Sequence, residues 1–557
     1  MELPTGERSG FFPIATQRTA MVDAREYHER TKHSPQSVRG DGFRLDHANR
    51  PRPSKVYRDL PAEPLRSVRI PVQPALSAIA HGEADPLAAT AQNEPTAEPE
   101  EPTAEPLDRE TLATLCYEAA GVVKTVDVDG REMAFRAASC TGKLYHIDLY
   151  LVVGDLEGRR GAGSSTDLDA GVYHFDPATF SLDVLRKGDH RGVVATAAGN
   201  YRAVAEAPVT VVATSTWWRN AWKYRERTYR HAFWDSGTVL ANLLATAHAL
   251  DHRAEVVTGV ADGPLAELLG VDPDHEAPLQ AVAISRDAPA PNPPGVEPLD
   301  PATVPLSDRV VDYPLVADAW AQSTLADGDA AAAWRDECLD AGAVGKAEPG
   351  DGERVPLDPV DHQTASARPL HHTIVRRGSC REYSGEAVGR RKLATVLDRA
   401  TRGLPADWNG GGSEPNGGAA GLQYNDVYCL VAGVADVPDG TYQYHAGDAE
   451  LERLGDVDRR TKTHLALDQT WAGQAHVNVY LMADVDAIVD RLGNRGYRLA
   501  QLEAGVTLGR LYLATYAHRD LGGTGLTFYD DAVTEHLSPR AADQTPTCLF
   551  AFGKRAE

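Results

Sequence analysis

The stretch GVYHFDPATFSLDVL, residues 171–185, is echoed by GTYQYHAGDAELERL, residues 440–454. In each, aromatic and polar residues alternate around a polar turn, the pattern of a β-hairpin. Working outward, DSGTVLANLLATAHAL around Gly237 is matched by EAGVTLGRLYLATYAH around Gly505, and LATLCYEAAGV from Leu112 by LATVLDRATRGL from Leu393. Gly171 and Gly237 are 66 residues apart, Gly440 and Gly505 65 apart. Chance similarity does not keep both order and spacing, so the chain is expected to hold one fold twice.

Strand patterns alternate with helices inside each repeat. HIDLYLVV (146–153) and VTVVA (209–213) serve the first half, VYCLV (427–431) and HVNVYL (476–481) the second. Leu508, Leu511, Tyr512, Thr515 and Tyr516 recur at helical spacing on a core-facing stripe. The expected class is α+β, a mixed, largely antiparallel sheet flanked by helices in each of two tandem domains. The expected divisions are a partly ordered N-terminal extension (1–80), a disordered acidic Pro-rich linker (81–106, containing EPTAEPEEPTAEP), domain 1 (107–286), a Pro/Ala/Asp-rich linker (287–368) with one helix over 317–338, and domain 2 (369–557).

Composition narrows the function classes. The 557 residues include 80 acidic and 56 basic side chains, a net charge of −24 that argues against nucleic-acid or anionic-membrane binding. Such an acidic surface suggests salt adaptation. The six cysteines show no CxxC or Cys/His ligand spacing, so neither disulfides nor a metal site is expected. No run approaches the ~20 apolar residues of a membrane span, and MELPTGERSGFF lacks a signal-peptide core, which makes the cytoplasm the expectation.

The sharpest local motif is VRRGSCREYS, in which Arg377, Ser379 and Arg381 would point one way along an extended segment and converge on an oxyanion. Alone, such a cluster is more often a solvated face. Near the C-terminus Lys554 and Arg555 follow the strand-like TCLFAFG, and LGGTG offers Gly522, Gly523 and Gly525.

With these segments in its repeat, the chain resembles the FMN-dependent nitroreductase superfamily. More finely, YHERTKHS (27–34), SCTGKLYHIDLYLV (139–152) and WKYRERTYRHAFWDSG (222–237) resemble its SagB-type or thiazoline-oxidase-like branch, although Ala138 stands in place of a proline. The resemblance implies that Arg377, Ser379, Arg381, Lys554 and Arg555 grip the FMN phosphate and that a glycine loop at Gly522, Gly523 and Gly525 approaches the ring. It further implies that Ser139, Thr141 and Gly142 cover the flavin from the other half, and that Lys223 and Tyr224 are catalytic. Their alternative role is to shield the start of a helix.

The first half lacks Arg-x-Ser-x-Arg before its Leu112 helix and has HRAEVVTG in place of the glycine run; the second half's SEPNGGAAGLQYNDVY is an eroded form of the Ser139 stretch. The resemblance therefore implies one hybrid flavin site in an intramolecular pseudo-dimer. Three functions stay open: hydride transfer through flavin N5, with azoline-to-azole oxidation on a peptide as one form and oxygen as a possible acceptor; NAD(P)H-dependent reduction of nitroaromatics or quinones; and a catalytically silent flavin- or peptide-binding protein.

Overall fold

The computed structural model describes residues 22–40, 42–79, 107–128, 130–156, 167–360, 368–409 and 421–556; the expected linker over 81–106 lies outside them. In chain order the strands are β1 (Ala62–Pro64), a separate hairpin of β2 (Val122–Val128) and β3 (Arg131–Arg136), then β4 (Ile147–Val153), β5 (Gly171–Asp176), β6 (Ser181–Lys187), β7 (Val209–Thr216), β8 (Ala254–Val257) and β9 (Glu276–Ile284). The second set is β10 (Arg354–Pro356), β11 (Asp426–Val431), β12 (Gly440–His445), β13 (Glu450–Gly455), β14 (Val477–Ala483), β15 (Leu521–Leu526) and β16 (Thr545–Lys554).

Two seven-stranded sheets result, ordered β1-β6-β5-β4-β7-β9-β8 and β10-β13-β12-β11-β14-β16-β15, the same path position by position. Every strand pairing within them is antiparallel. Central strands β4, β7, β11 and β14 are buried along their whole length, because helices cover what would otherwise be an exposed face. Both hairpins expected from the repeat are present, as β5-β6 and β12-β13.

The long helices Thr228–Ala249 and Val485–Ala517 cross between the sheets, the second interrupted at Gly493 (φ 64°). At the crossing the repeat's matched glycines meet. A Cβ on Gly237 would overlap the Gly505 carbonyl carbon, and one on Gly505 would stand 2.8 Å from the Trp234 Cα. Only glycine permits this backbone approach. The largest apolar cluster accordingly draws on both halves, joining Leu112, Tyr229 and Leu240 to Tyr424, Tyr497 and Leu502.

The segment expected to be a tether with one helix over 317–338 is different. It forms two helices, Pro314–Ala321 and Gly328–Ala341, and supplies β10 to the second sheet. Trp320, Trp334 and Cys338 are buried, and Arg335 donates to the Ala198 carbonyl at 2.7 Å. Small alanines let these helices lie close while a few large residues anchor them, which average composition conceals. The N-terminal extension supplies β1 and a helix, Ala24–Arg30, capped by the Asp23 carboxylate. Tyr27 packs edge-on against Tyr229 of the first half and Tyr497 of the second, so this segment fills the seam. Asp530 of the second half accepts from Arg230 at 2.7 Å and from the His33 amide at 2.8 Å. No helix among the described residues is long and apolar enough to cross a membrane.

Candidate functional site

Arg377 caps the C-terminus of helix Leu370–Arg376, and its guanidinium reaches into the first half. Nε donates to the Ala137 carbonyl at 3.1 Å and Nη2 to that of Arg136 at 3.2 Å, just ahead of Ser139; the group also lies 5.5 Å from the Tyr512 ring centre. Arg381 is exposed and rests 5.2 Å from the centre of the Trp471 ring, while Ser379 is exposed between them. The two guanidiniums thus turn to different neighbours instead of lying side by side. The segment leaves a helix rather than running as a strand, so the alternation of side chains does not hold.

The glycine run is a second correction. Gly522, Gly523 and Gly525 lie on edge strand β15, not in a loop. Gly522 and Gly523 are needed for close packing: a Cβ on Gly522 would stand 2.7 Å from Arg555 Cδ and 2.9 Å from Cys380 Cβ, and one on Gly523 would overlap the Phe550 ring. Cys380 N–H donates to the Gly523 carbonyl at 3.1 Å, joining the Arg377–Arg381 segment to this edge. Tyr512 and Tyr516, from the stripe on the long helix, bond the same strand at Gly525 N and Gly523 O. Lys554 pairs with Glu386, and Arg555 donates to the Arg519 carbonyl at 2.7 Å while its Nε is buried without a partner. An orphaned guanidinium donor beside an exposed serine and an exposed arginine is a donor set that fits a phosphate-bearing cofactor.

The first half contributes the facing loop. Asp235 accepts from Thr141 N and Thr141 Oγ1 at 2.9 and 2.7 Å, and Thr238 Oγ1 donates to the Ser139 carbonyl at 2.7 Å. Gly142 takes φ 64°, and a Cβ there would meet the Tyr224 hydroxyl at 2.9 Å. Tyr224 and Lys223 end the helix Trp217–Tyr224, which stops because Arg225 turns to φ 49°. The Tyr224 ring packs edge-on against His231 with centres 4.5 Å apart, and the Lys223 ammonium lies 5.0 Å from the Tyr224 ring centre. Burial, then the nearby Arg50 and Arg381, hold Lys223 below the usual lysine range. Burial, then Asp235 and Cys140, push the Tyr224 phenol up, so it stays protonated. Lys143 is depressed by burial and by the same two arginines. Cations from the extension, the first half and the second half are thus close enough to act on one another.

Sequence reasoning missed Arg50, Lys143 and Asp235. Asp235 was findable, because it stands two residues before Gly237 as Glu503 stands before Gly505. Cys140, His146 and Asp235 also bring three potential ligand atoms within 4.8 Å of one another, a grouping that linear spacing could not reveal. In the structure that carboxylate serves the loop, taking bonds from His146 Nε2 at 2.9 Å and Cys140 Sγ at 3.2 Å as well.

The opposite edge is closed. Strand β8, the counterpart of β15, is bridged by the second half: Val256 N donates to Pro405 O at 2.8 Å and Asp407 N to Val256 O at 3.0 Å. Asp407 then accepts from the Gly259 amide at 2.7 Å, and Trp408 is buried behind it. The turn leading into β11 is pinned as well, with Glu503 accepting from the amides of Gln423, Tyr424 and Asn425 at 2.7–3.0 Å.

Two antiparallel sheets with crossed central helices, and one open edge faced by a loop of the other half, define an α+β protein with the nitroreductase fold. Residues 103–285 match the sequence model of the nitroreductase family. A nitroreductase-type protein of Methanocaldococcus jannaschii is 26% identical over 190 residues, which cover 34% of this chain and 92% of that protein. The crystal structure of a nitroreductase-type protein from Anabaena variabilis is 23% identical, with a TM-score of 0.71 over 96% of this chain and 99% of that one, so the shared fold runs through both halves.

Proposed function

We propose that the chain is an FMN-dependent oxidoreductase built as an intramolecular pseudo-dimer with one hybrid flavin site. The observation that carries this reading is Arg377 of the second half bonding the Arg136 and Ala137 carbonyls of the first, beside the Ser139 loop. Arg377, Ser379, Arg381, Lys554 and Arg555 would hold the FMN phosphate and its approach, the β15 glycines would border the ring, and Ser139, Thr141 and Gly142 would cover it. Bound FMN supplies hydride transfer at N5. Lys223, poised toward its neutral amine, takes the substrate proton, and the protonated Tyr224 donates a hydrogen bond that orients the reacting group.

The branch resemblance favours oxidation of an azoline ring on a peptide. The cationic mouth formed by Arg50, Lys143, Lys223 and Arg381 supports a second reading, reduction by the phosphate-bearing NAD(P)H. Rapid bleaching of the flavin by NAD(P)H selects the latter. The flavin claim is tested by absorbance per chain with circular dichroism as the folding control. Wild type should carry one FMN. Arg377→Ala should purify folded but colourless, since a charged hydrogen bond contributes about 1.5–3 kcal/mol, and Arg377→Lys partly yellow. Two flavins per chain, or full occupancy in Arg377→Ala, contradicts the reading.

A further inference from the structure

Arg376 and Arg377 are adjacent, yet they serve different places. Whereas Arg377 turns to the first half, Arg376 lines a cavity of about 400 Å³ whose other walls are Arg368, Pro369, His372, Val375 and Arg519. Three guanidiniums therefore face one hollow from three points of the chain: ahead of helix Leu370–Arg376, at its end, and after the long helix Val485–Ala517. Among the described residues no carboxylate lines the hollow. The nearest acidic neighbour in sequence, Asp520, is engaged by Lys392 at 2.7 Å. Arg368 is anchored through Nη1 to the Tyr516 carbonyl at 2.8 Å, which fixes its position at the wall. Burial lowers its affinity for the proton, and the charges of Arg376, Arg555 and Arg519 lower it further, so these cations repel one another across a small space.

In a chain of net charge −24, gathering three like charges around one hollow costs free energy that a bound anion would recover. A carboxylate satisfies one guanidinium fork. A tetrahedral dianion offers enough acceptor oxygens for three forks at once. We propose that this cavity binds a phosphate group carried by a small molecule, at a site separate from the one assigned to Arg377. That it is a second site rests on the flavin reading above; that it binds phosphate does not.

The test uses the flavin-loaded protein and inorganic pyrophosphate, followed by titration calorimetry at low ionic strength. Wild type should take one pyrophosphate per chain, and the Arg376→Ala/Arg519→Ala variant should bind at least about tenfold more weakly. Both side chains are exposed, so folding should survive, and the yellow colour per chain should be unchanged. Absence of binding in wild type, or equal binding in the double variant, overturns the site. Loss of flavin in the double variant shows the cavity to be the flavin's own phosphate seat, which ends the second-site claim and moves the phosphate grip away from Arg377 while FMN dependence stands. The source of the phosphate follows from NADPH and NADH titrations. A preference for NADPH that disappears in the double variant assigns it to the 2′-phosphate of a nucleotide, and NADPH and NADH binding that is equal and unchanged by the double variant, with pyrophosphate binding lost, assigns it to free phosphate or pyrophosphate; either supports the site.

Discussion

The two halves share a strand order and treat the outer edge of their last strand in opposite ways. On the first sheet, β8 is sealed by Pro405–Asp407, with the Asp407 carboxylate and Trp408 completing the seal. On the second, β15 is bordered by the Arg377–Arg381 segment, whose serine and second arginine stand exposed. The loops facing these edges diverge in step. Glu503 holds the 423–425 turn by three backbone amides, whereas Asp235 holds only Thr141 by its amide and leaves Gly142 exposed beside Tyr224. The difference teaches that one scaffold, present twice in the chain, can leave its edge open in one half and closed in the other.

The largest expected effect comes from breaking what the halves share. Gly505→Leu places a side chain where the backbone of Phe233 and Trp234 already sits, and should cost more than about 3 kcal/mol, leaving little folded protein. Gly263, in a helix with nothing near its Cβ position, is the control: Gly263→Ala should raise the melting temperature slightly. Equal tolerance at both positions by thermal circular dichroism would remove the crossing as the joint between halves.

Next in size is the chemistry assigned to the open side. Lys223→Ala should keep its flavin and lose about 10²- to 10⁴-fold in turnover. A base must be neutral, and the Lys223 pKa is lowered, so the wild-type rate should rise with pH to a plateau reached below the ordinary lysine range near 10.5. Arg50→Ala removes one of the repelling cations, which raises the lysine pKa and moves that rise to higher pH. A pH profile identical in wild type and Arg50→Ala would leave Lys223 as a cover for the helix end.

The smallest effect separates the two carboxylates at matched positions. Glu503→Ala strands buried amides and should lower stability by about 2 kcal/mol, the loss being partly offset because burial already disfavours that carboxylate and raises its pKa. Flavin content should not change. Asp235→Ala should instead release the Ser139–Gly142 loop and reduce flavin occupancy. If both variants lose flavin equally, the division into open and closed sides is wrong.

Much of the scaffold was legible because matched hairpins and helices repeat at almost equal spacing, a signal independent of any one residue's propensity. The glycine run misled because glycine is a poor strand former in isolation; Gly522 and Gly523 are strand residues here because Arg555, Cys380 and Phe550 crowd them from elsewhere in the chain. Residues 287–368 misled through their average, since Trp320, Trp334 and Cys338 anchor a segment otherwise rich in proline and alanine. At the site, the residue types at 377–381 were readable from order alone, but the destination of Arg377 was not. Its acceptors are carbonyls about 240 positions away, and a carbonyl leaves no mark in a sequence.

The contact of Gly237 with Gly505 bears on inheritance. In a dimer of identical chains every substitution arrives twice, and both copies of the site must survive it. Joined in one chain, the halves receive each change once, and can differ wherever they do not touch. At the crossing they cannot: with no space between the two backbones, a side chain gained at either position displaces both helices, so 237 and 505 are constrained together.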